Sequence, residues 1–575
     1  MTNRHRLSSI CFICATILFV GAFSYTSQAQ SFWVDTYTQA AVSSADPVAS
    51  KIGVEIMAQG GNAVDAAIAV QFALAVTTPR AGNLGGGGFM VIQHSDGSSS
   101  ALDFREKAPL DAFREMYVDE RGAAISEKSL LGHLASGVPG SVDGMVKAHE
   151  AYGRLPWEVL LQPAIELARE GYPLRASQAL SLNAAKDDFS LFEGSSNYFI
   201  KPDGSIWKAG DVFRQDDLAQ TLVRIQSGGR AGFYEGETAA LLIQEMDVGG
   251  GYIRQQDLDE YESVWRTPIK VAYKDVELVM MPMPSSGGVV MGQLMGMLEL
   301  SGASFESPQS IERIHYFTQL MSRTFADRAT YMGDADFGEV PVEELLDKDY
   351  LEKRLSTVSL DAHTPSDESS HGVVDGWNYR GESTETTHFS VVDGEGNAVA
   401  VTTTLNGSFG SKVAVRGAGF LLNNEMDDFS VKPGTPNMFG LVGSEANAIA
   451  PGKRMLSSMS PTIVTRDSKP IIIAGAAGGP RIITATWLAI LNILEHNMNA
   501  MEALTFPRFH HQWYPDRLLI EKHTLDSGLR LSLRTMGHEV VESPGLARVH
   551  LLHVGEDGTI EAAADPRGDG GTAGF

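Results

Sequence analysis

The chain has 575 residues, 43% of them apolar and 20% charged, and a formal net charge of −26. That apolar share is ample for a buried core and excludes wholesale disorder. So acidic a surface repels phosphate, which argues against nucleic acid and anionic membranes as partners.

The chain starts with a basic cluster, Arg4, His5 and Arg6, then a fourteen-residue apolar run from Ile10 to Phe23. That run falls short of the roughly 20 residues that a membrane-spanning helix needs. Ser27-Gln28-Ala29 supplies small residues at the spacing a signal peptidase reads, so residues 1–29 are expected to be a signal peptide cut after Ala29. An uncleaved membrane anchor is the alternative. Both cysteines, Cys11 and Cys14, lie in this leader. The exported chain would then have no disulfide, thiol nucleophile or cysteine-based metal site. A nucleophile has to be Ser, Thr or something rarer.

Farther on, 50–58 and 63–75 read as helices parted by Gly60-Gly61-Asn62. The run Gly85 to Gly88 reads as a structural turn before a strand at 89–92, and a second strand, 101–104, ends at Arg105-Glu106. Residues 141–170 and 215–246 are predicted to be helical. A strand at 276–281 leads through a rigid turn into a helix ending near Leu300, whose methionines suit core filling. From Asp361 to Glu385 the chain is polar and poor in aliphatics, which predicts an exposed, mobile segment.

At Thr386 the pattern changes to strands. Residues 386–392 alternate, with Thr386, His388, Ser390 and Val392 on one face. Asp393-Gly394-Glu395-Gly396-Asn397 is a turn signal, and 398–404 is the return strand. A turn centred on Glu395 sets Thr386 opposite Thr404, unless a bulge shifts the register. Periodicity alone favours the plain reading, a Thr-rich strand pair. The chemistry argues otherwise. No G-x-S-x-G elbow is present to supply a serine triad, and a threonine hydroxyl needs a base. Cleavage before Thr386 would give that residue its own α-amine. Such an amine titrates at about 7.7–8.0 and can take the hydroxyl proton.

The segments Thr386-Thr387-His388-Phe389-Ser390, Gly396-Asn397, Thr402-Thr403-Thr404-Leu405-Asn406 and Phe409-Gly410 together resemble the signature of the γ-glutamyltransferase family. The likeness runs from about Ala45 to Phe575. It implies an α+β fold, the four-layer αββα N-terminal-nucleophile hydrolase sandwich of two antiparallel sheets between helix layers. It further implies autoproteolysis between Glu385 and Thr386 into a large subunit (30–385) and a small, catalytic one (386–575). The implied donors are glutathione and other γ-glutamyl amides, and the acceptors are water, amino acids or peptides. No cofactor is implied, and the exported enzyme would be periplasmic or secreted.

By the same resemblance, Thr386 is the nucleophile and Thr404 hydrogen-bonds it. The backbone amides of Gly478 and Gly479 form an oxyanion hole. Arg105 grips the α-carboxylate of the γ-glutamyl group, helped by Ser457 and Ser458. Glu425, Asp428 and Asn406 receive its α-ammonium. An arginine fork suits a carboxylate because it binds both oxygens. Taken singly, Arg105 reads as a surface ion pair and Asp427-Asp428 as a solvated turn; the joint pattern carries the functional reading.

Relatives close the pocket with a tyrosine-tipped lid, and Phe439 stands at that position here. Phenylalanine has no hydroxyl to latch the lid, so a looser gate is expected. His510-His511 invites a metal reading, but neighbouring side chains do not easily face one ion and the spacing shows no third ligand, so no metal is expected. His388 can act as a proton relay or, more plainly, as a structural residue. A related acylase of the cephalosporin or poly-γ-glutamate type, and a non-catalytic exported binding protein, are the rival readings.

Overall fold

Two seven-stranded antiparallel sheets form the centre of the protein. The first runs Asp35–Tyr37, Ile560–Ala564, Arg548–Val554, Lys469–Ala477, Thr462–Arg466, Val276–Met280, Ile269–Tyr273. The second runs Gly571–Gly574, Ala41–Ser44, Thr387–Val392, Ala398–Thr404, Gly87–Gln93, Ser99–Phe104, Val264–Arg266. The computed structural model describes residues 33–125, 127–372, 386–431, 438 and 445–575.

Successive strand side chains point to opposite faces, so each central strand serves two layers. Between the sheets, Val91, Val392 and Ala400 share an apolar layer with Val279, Ile463 and Ile473. On the outer side of the second sheet, Phe389, Val391, Val399 and Val401 belong to a core that includes the helices Pro47–Ala58 and Ala63–Thr77. On the outer side of the first, Leu278, Ile472 and Ala474 share a core with the helices Gly287–Ser301, Ile311–Tyr331 and Arg481–His496. The layers run helix, sheet, sheet, helix, as expected.

Local sequence explains the helix boundaries. Asn62 caps Ala63–Thr77 by accepting from the Val64 and Asp65 amides, and the Asp65 side chain answers with the Asn62 amide. This helix is apolar on every side and every residue in it is buried. Met291, Met295 and Met297 are buried core residues. The expected single helix at 141–170 is two, Ser141–Tyr152 and Trp157–Glu170. Pro156 ends the continuity, because proline has no amide and restricts the residue before it. The block at 215–246 divides into Asp216–Gly228, Ala231–Tyr234 and Gly236–Gly249, with Gly229 and Gly236 at positive φ.

The expectation of an exposed, mobile 361–385 segment holds only in part over its described residues, 361–372, because the segment is anchored at Ser366. Ser366 is buried; its hydroxyl donates to the Trp513 carbonyl (2.5 Å) and its amide to Asp516 Oδ2 (2.9 Å). Trp513 Nε1 returns a bond to the Ser366 carbonyl (2.8 Å). Asp361, Asp367, Glu368 and Ser370 are exposed as expected, whereas Ser366 and Ser369 are buried and tie the segment to the protein. Residues 373–385, including Glu385 of the expected cleavage site, lie outside the described residues.

Candidate active site

The strand after Thr386 pairs in the expected register. Thr387 stands opposite Thr403 and Val392 opposite Ala398, without a bulge. Asp393 Oδ1 accepts the Glu395 and Asn397 amides (2.9 and 3.0 Å) and closes the turn. Thr386 immediately precedes the first paired residue. Its Oγ1 is buried, with no hydrogen-bond partner among the described residues. Thr386 opens onto a cavity of about 290 Å³ that Ala477, Phe409, Arg548 and His550 also line. On the other side of the return strand, Gly87 and Gly88 pair with Thr404 and Thr403. A Cβ at Gly86 would come within 2.0 Å of the Thr404 carbonyl, so the glycine run permits a close backbone approach beside the site.

Thr404 lies on the strand paired with that of Thr386, but the expected bond between their hydroxyls is not formed, Thr386 Oγ1 having no partner among the described residues. Its hydroxyl accepts from the Asn406 amide (2.7 Å) and engages the Glu425 carboxylate. Asn406 adopts a left-handed backbone, which asparagine tolerates, and its Nδ2 donates to the Asn424 carbonyl (3.0 Å).

Arg105, Glu425 and Asp428 converge, as the joint pattern implied. Arg105 Nη1 lies 2.7 Å from Glu425 Oε2, and Nη2 bonds Asp428 Oδ2. Nε donates to the Met455 carbonyl (3.3 Å). Glu106 adds a third carboxylate, 3.4 Å from Nη1. All four side chains are buried. Burial works against the arginine's charge, but Glu425, Asp428 and Glu106 outweigh it and hold the group protonated. Burial also pushes Glu106 well above the usual carboxylate range, with Glu425 adding to the effect and Arg105 opposing it. Glu425 is raised by burial against the pull of Arg105. Acidic and basic side chains thus stand side by side away from water, a set with a partner for each end of a zwitterion.

The serine pair is anchored by an arginine that the sequence reading missed. Arg328, in the helix Ile311–Tyr331, is buried; it donates through Nη2 to Ser458 Oγ (2.7 Å) and through Nε to Ser286 Oγ (2.8 Å). The Ser286 hydroxyl and amide both donate to the Ser457 carbonyl (2.7 and 2.8 Å). No local signal marked Arg328, since an arginine in a polar helix reads as surface. Glu106 had a signal, its place directly after Arg105.

Gly478 and Gly479 follow the strand Lys469–Ala477 and precede the helix Arg481–His496. Both have positive φ, and no described residue accepts from either amide. Two available N–H groups at a helix N-terminus, adjoining the cavity through Ala477, suit a developing oxyanion.

His388 is fully buried between the sheets, with Thr402 Oγ1 2.9 Å from Nδ1 and Ser390 Oγ 3.0 Å from Nε2. Burial, then the nearby His550, lowers its pKa far below the usual imidazole value. Both ring nitrogens are engaged inside the sandwich. His510 bonds Thr484 and Gln512, whereas His511 meets Asp516 and is joined there by His363. Folding thus gathers three side chains of ligating type, His363, His511 and Asp516, that the spacing did not show. Phe439 lies outside the described residues.

Residues 49–575 match the family described as Gamma-glutamyltranspeptidase. A glutathione hydrolase proenzyme of Escherichia coli (strain K12) is 42% identical over 570 residues, 99% of this chain and 97% of its own length. A cephalosporin acylase from Bacillus halodurans superposes with a TM-score of 0.84 at 25% identity, covering 97% of this chain and 99% of that one. The gamma-glutamyltranspeptidase of Helicobacter pylori is 40% identical, with a TM-score of 0.57 over 61% of this chain and 99% of the matched one.

Proposed function

The chain belongs to the gamma-glutamyltranspeptidase family, and from that premise we propose that it is a glutathione hydrolase and γ-glutamyltransferase that matures by cutting itself before Thr386. The observation that carries the reading is the buried meeting of Arg105 with Glu425 and Asp428. A γ-glutamyl head bears one carboxylate and one ammonium, and this cluster offers a partner for each. A glutaryl group has no ammonium and would leave the carboxylates without a match, which favours the γ-glutamyl reading over a cephalosporin-type acylase.

The chemistry follows from the placement of Thr386. In the precursor its hydroxyl attacks the Glu385 carbonyl carbon, the C–N bond breaks to free the Thr386 α-amine, which takes up the hydroxyl proton, and water hydrolyses the resulting ester to release the Glu385 carboxylate and restore the Thr386 hydroxyl. In the mature enzyme that amine takes the proton from Oγ1 as the oxygen attacks the γ-carbonyl of the donor. The tetrahedral oxyanion receives the Gly478 and Gly479 amides. Collapse expels the leaving amine with the proton, and the γ-glutamyl ester passes to water or to an acceptor amine. Arg105, Ser457 and Ser458 hold the donor carboxylate, and Glu425, Asp428 and Asn406 its ammonium. Thr404 acts from the adjoining strand, by holding Glu425 and Asn406.

The likeness to a proenzyme supports two fragments, 30–385 and 386–575. So does the Helicobacter pylori chain, of which 99% is matched by only 61% of this sequence. The leader-like residues 1–29 support export to a periplasm or the medium, and among the described residues no helix is long and apolar enough to cross a membrane. Phe439, in place of a latching tyrosine, gives a looser lid.

A denaturing gel with N-terminal sequencing and a γ-glutamyl anilide assay tests the proposal. Active protein runs as two fragments, the shorter beginning at Thr386, whereas Thr386→Ala runs as one and is inactive. A shorter fragment that begins elsewhere, or activity in an uncut chain, refutes it.

A further inference from the structure

Away from the active site, five titratable side chains gather where residues ahead of Thr386 pack on residues that follow it. His363 comes from the segment before the cleavage site and His315 from the helix Ile311–Tyr331, whereas His511, Asp516 and His538 come from after it. His363 Nε2 and His511 Nε2 both lie on Asp516 Oδ1, at 2.8 and 3.0 Å. One donor atom from each of these three residues falls within 4.8 Å of the other two. Two imidazoles and a carboxylate at that spacing form a ligand set for a first-row divalent cation, with a further position for water. The His511 and His363 side chains are 1% and 5% exposed and that of Asp516 is 30% exposed, so the set is dry on one side and open on the other.

The surrounding hydrogen bonds determine which ring nitrogens carry protons. The Ser359 carbonyl accepts from His315 Nε2 (2.9 Å), which leaves a lone pair on His315 Nδ1. That lone pair accepts from His538 Nε2 (2.8 Å), so His538 Nδ1 also bears a lone pair. Asp516 Oδ1 accepts from His363 Nε2. His363 Nδ1 is therefore a lone pair as well. Both Nδ1 atoms are buried without a partner among the described residues, on rings whose centres stand 4.5 Å apart. Two unmatched acceptors on packed rings are costly in a protein interior. A cation on His363 Nε2 moves the ring proton to Nδ1 and turns one of the two acceptors into a donor. His511 opposes binding to a lesser degree, because its Nδ1 gives up the bond from the Trp513 amide (3.2 Å).

We propose that His363, His511 and Asp516 bind a divalent ion of the zinc class, and that the ion staples the tail of the segment ahead of the cleavage site to the part of the chain that follows it. The metal site rests on the geometry alone; only the stapling role rests on the cleavage reading. In a chain whose two cysteines both fall in the leader, a metal is an available cross-link between the fragments.

Mature protein stripped with a chelator is titrated with Zn²⁺ alone, and separately with Mg²⁺, by calorimetry; Co²⁺ is followed by its visible absorption. One Zn²⁺ or Co²⁺ per fragment pair with micromolar or tighter affinity is expected, with no response to Mg²⁺. His363→Asn, whose amide can still donate to Asp516, and Asp516→Asn are each expected to weaken Zn²⁺ binding at least tenfold, with wild-type circular dichroism confirming the fold. Absent binding, or equal affinity in both variants, overturns the site. Chelation is expected to lower the melting temperature of the cut protein, and an unchanged value overturns the staple. The same titration on uncut Thr386→Ala is expected to give wild-type affinity. Because this arm needs no cleavage, failure of the site and failure of the proposed maturation are read separately.

Discussion

Arg105 Nη1 and Glu425 Oε2 meet at 2.7 Å with both side chains fully buried. An ion pair without water is costly to break from one side only, because the remaining charge loses its partner. A zwitterionic head can enter between the two and leave neither bare. Arg105→Lys keeps the charge but loses the planar fork. One charge-assisted bond contributes about 1.5–3 kcal/mol, so kcat/KM for a γ-glutamyl anilide is expected to fall roughly ten- to a hundredfold, mainly through KM, with chain cleavage retained. An unchanged KM shows that the fork does not hold the donor.

Gly478 has a φ of +145°, and a Cβ there would come within 2.7 Å of Ala547 Cα. Gly478→Ala is expected to cost about 1–3 kcal/mol in strain and to turn the amide away from the oxyanion, a loss of about 10²–10³ in kcat. Melting temperature and kcat should drop together. Full kcat in a folded variant means that this amide is not used.

Arg328 donates to Ser458 directly and to Ser286, whose hydroxyl in turn donates to the Ser457 carbonyl. Arg328→Met fills the space without donors, so Ser286 and Ser458 lose their orientation. KM for the donor is expected to rise about tenfold, the loss of one charge-assisted bond, with a smaller change in kcat. Donor kinetics at saturating acceptor check this, and a change confined to stability would make Arg328 a packing residue only.

His510 is buried, and burial lowers its pKa from 6.5 to about 3, with the Gln512 bond opposing. The unfolded chain therefore takes up a proton near pH 6.5 that the folded protein refuses. Stability from this residue is lost as pH falls from about 6.5 towards 3, by about 1.4 kcal/mol per pH unit. His510→Gln removes that dependence. Urea midpoints for wild type and variant should run parallel above pH 7 and converge or cross below 6. Parallel curves down to pH 4.5 would show that His510 is not held neutral.

Much of this protein was legible locally. The alternation at 386–392 and the Asp393–Asn397 turn gave the observed pairing of Thr387 with Thr403, because strand period and turn chemistry are short-range properties. The break between two helices at Gly60-Gly61-Asn62 was readable for the same reason. Other readings failed where a distant partner changed the meaning of a residue. Ser366 and His363 looked solvated because their partners Trp513 and Asp516 lie far along the chain. Thr404 faces Asn406 and Glu425 rather than the Thr386 hydroxyl, a choice among several acceptors in reach that spacing does not encode.

The sequence by itself determined where Thr386 stands and which hairpin presents it, since those depend on neighbours within a few residues. Only the tertiary structure decided that Arg105 is buried against Glu425 and Asp428, that Arg328 supports Ser458, and that His363 and His511 share Asp516. The physical reason is that a charge is buried only when folding brings it a partner, and that pairing is a property of distance in space, which no local periodicity records.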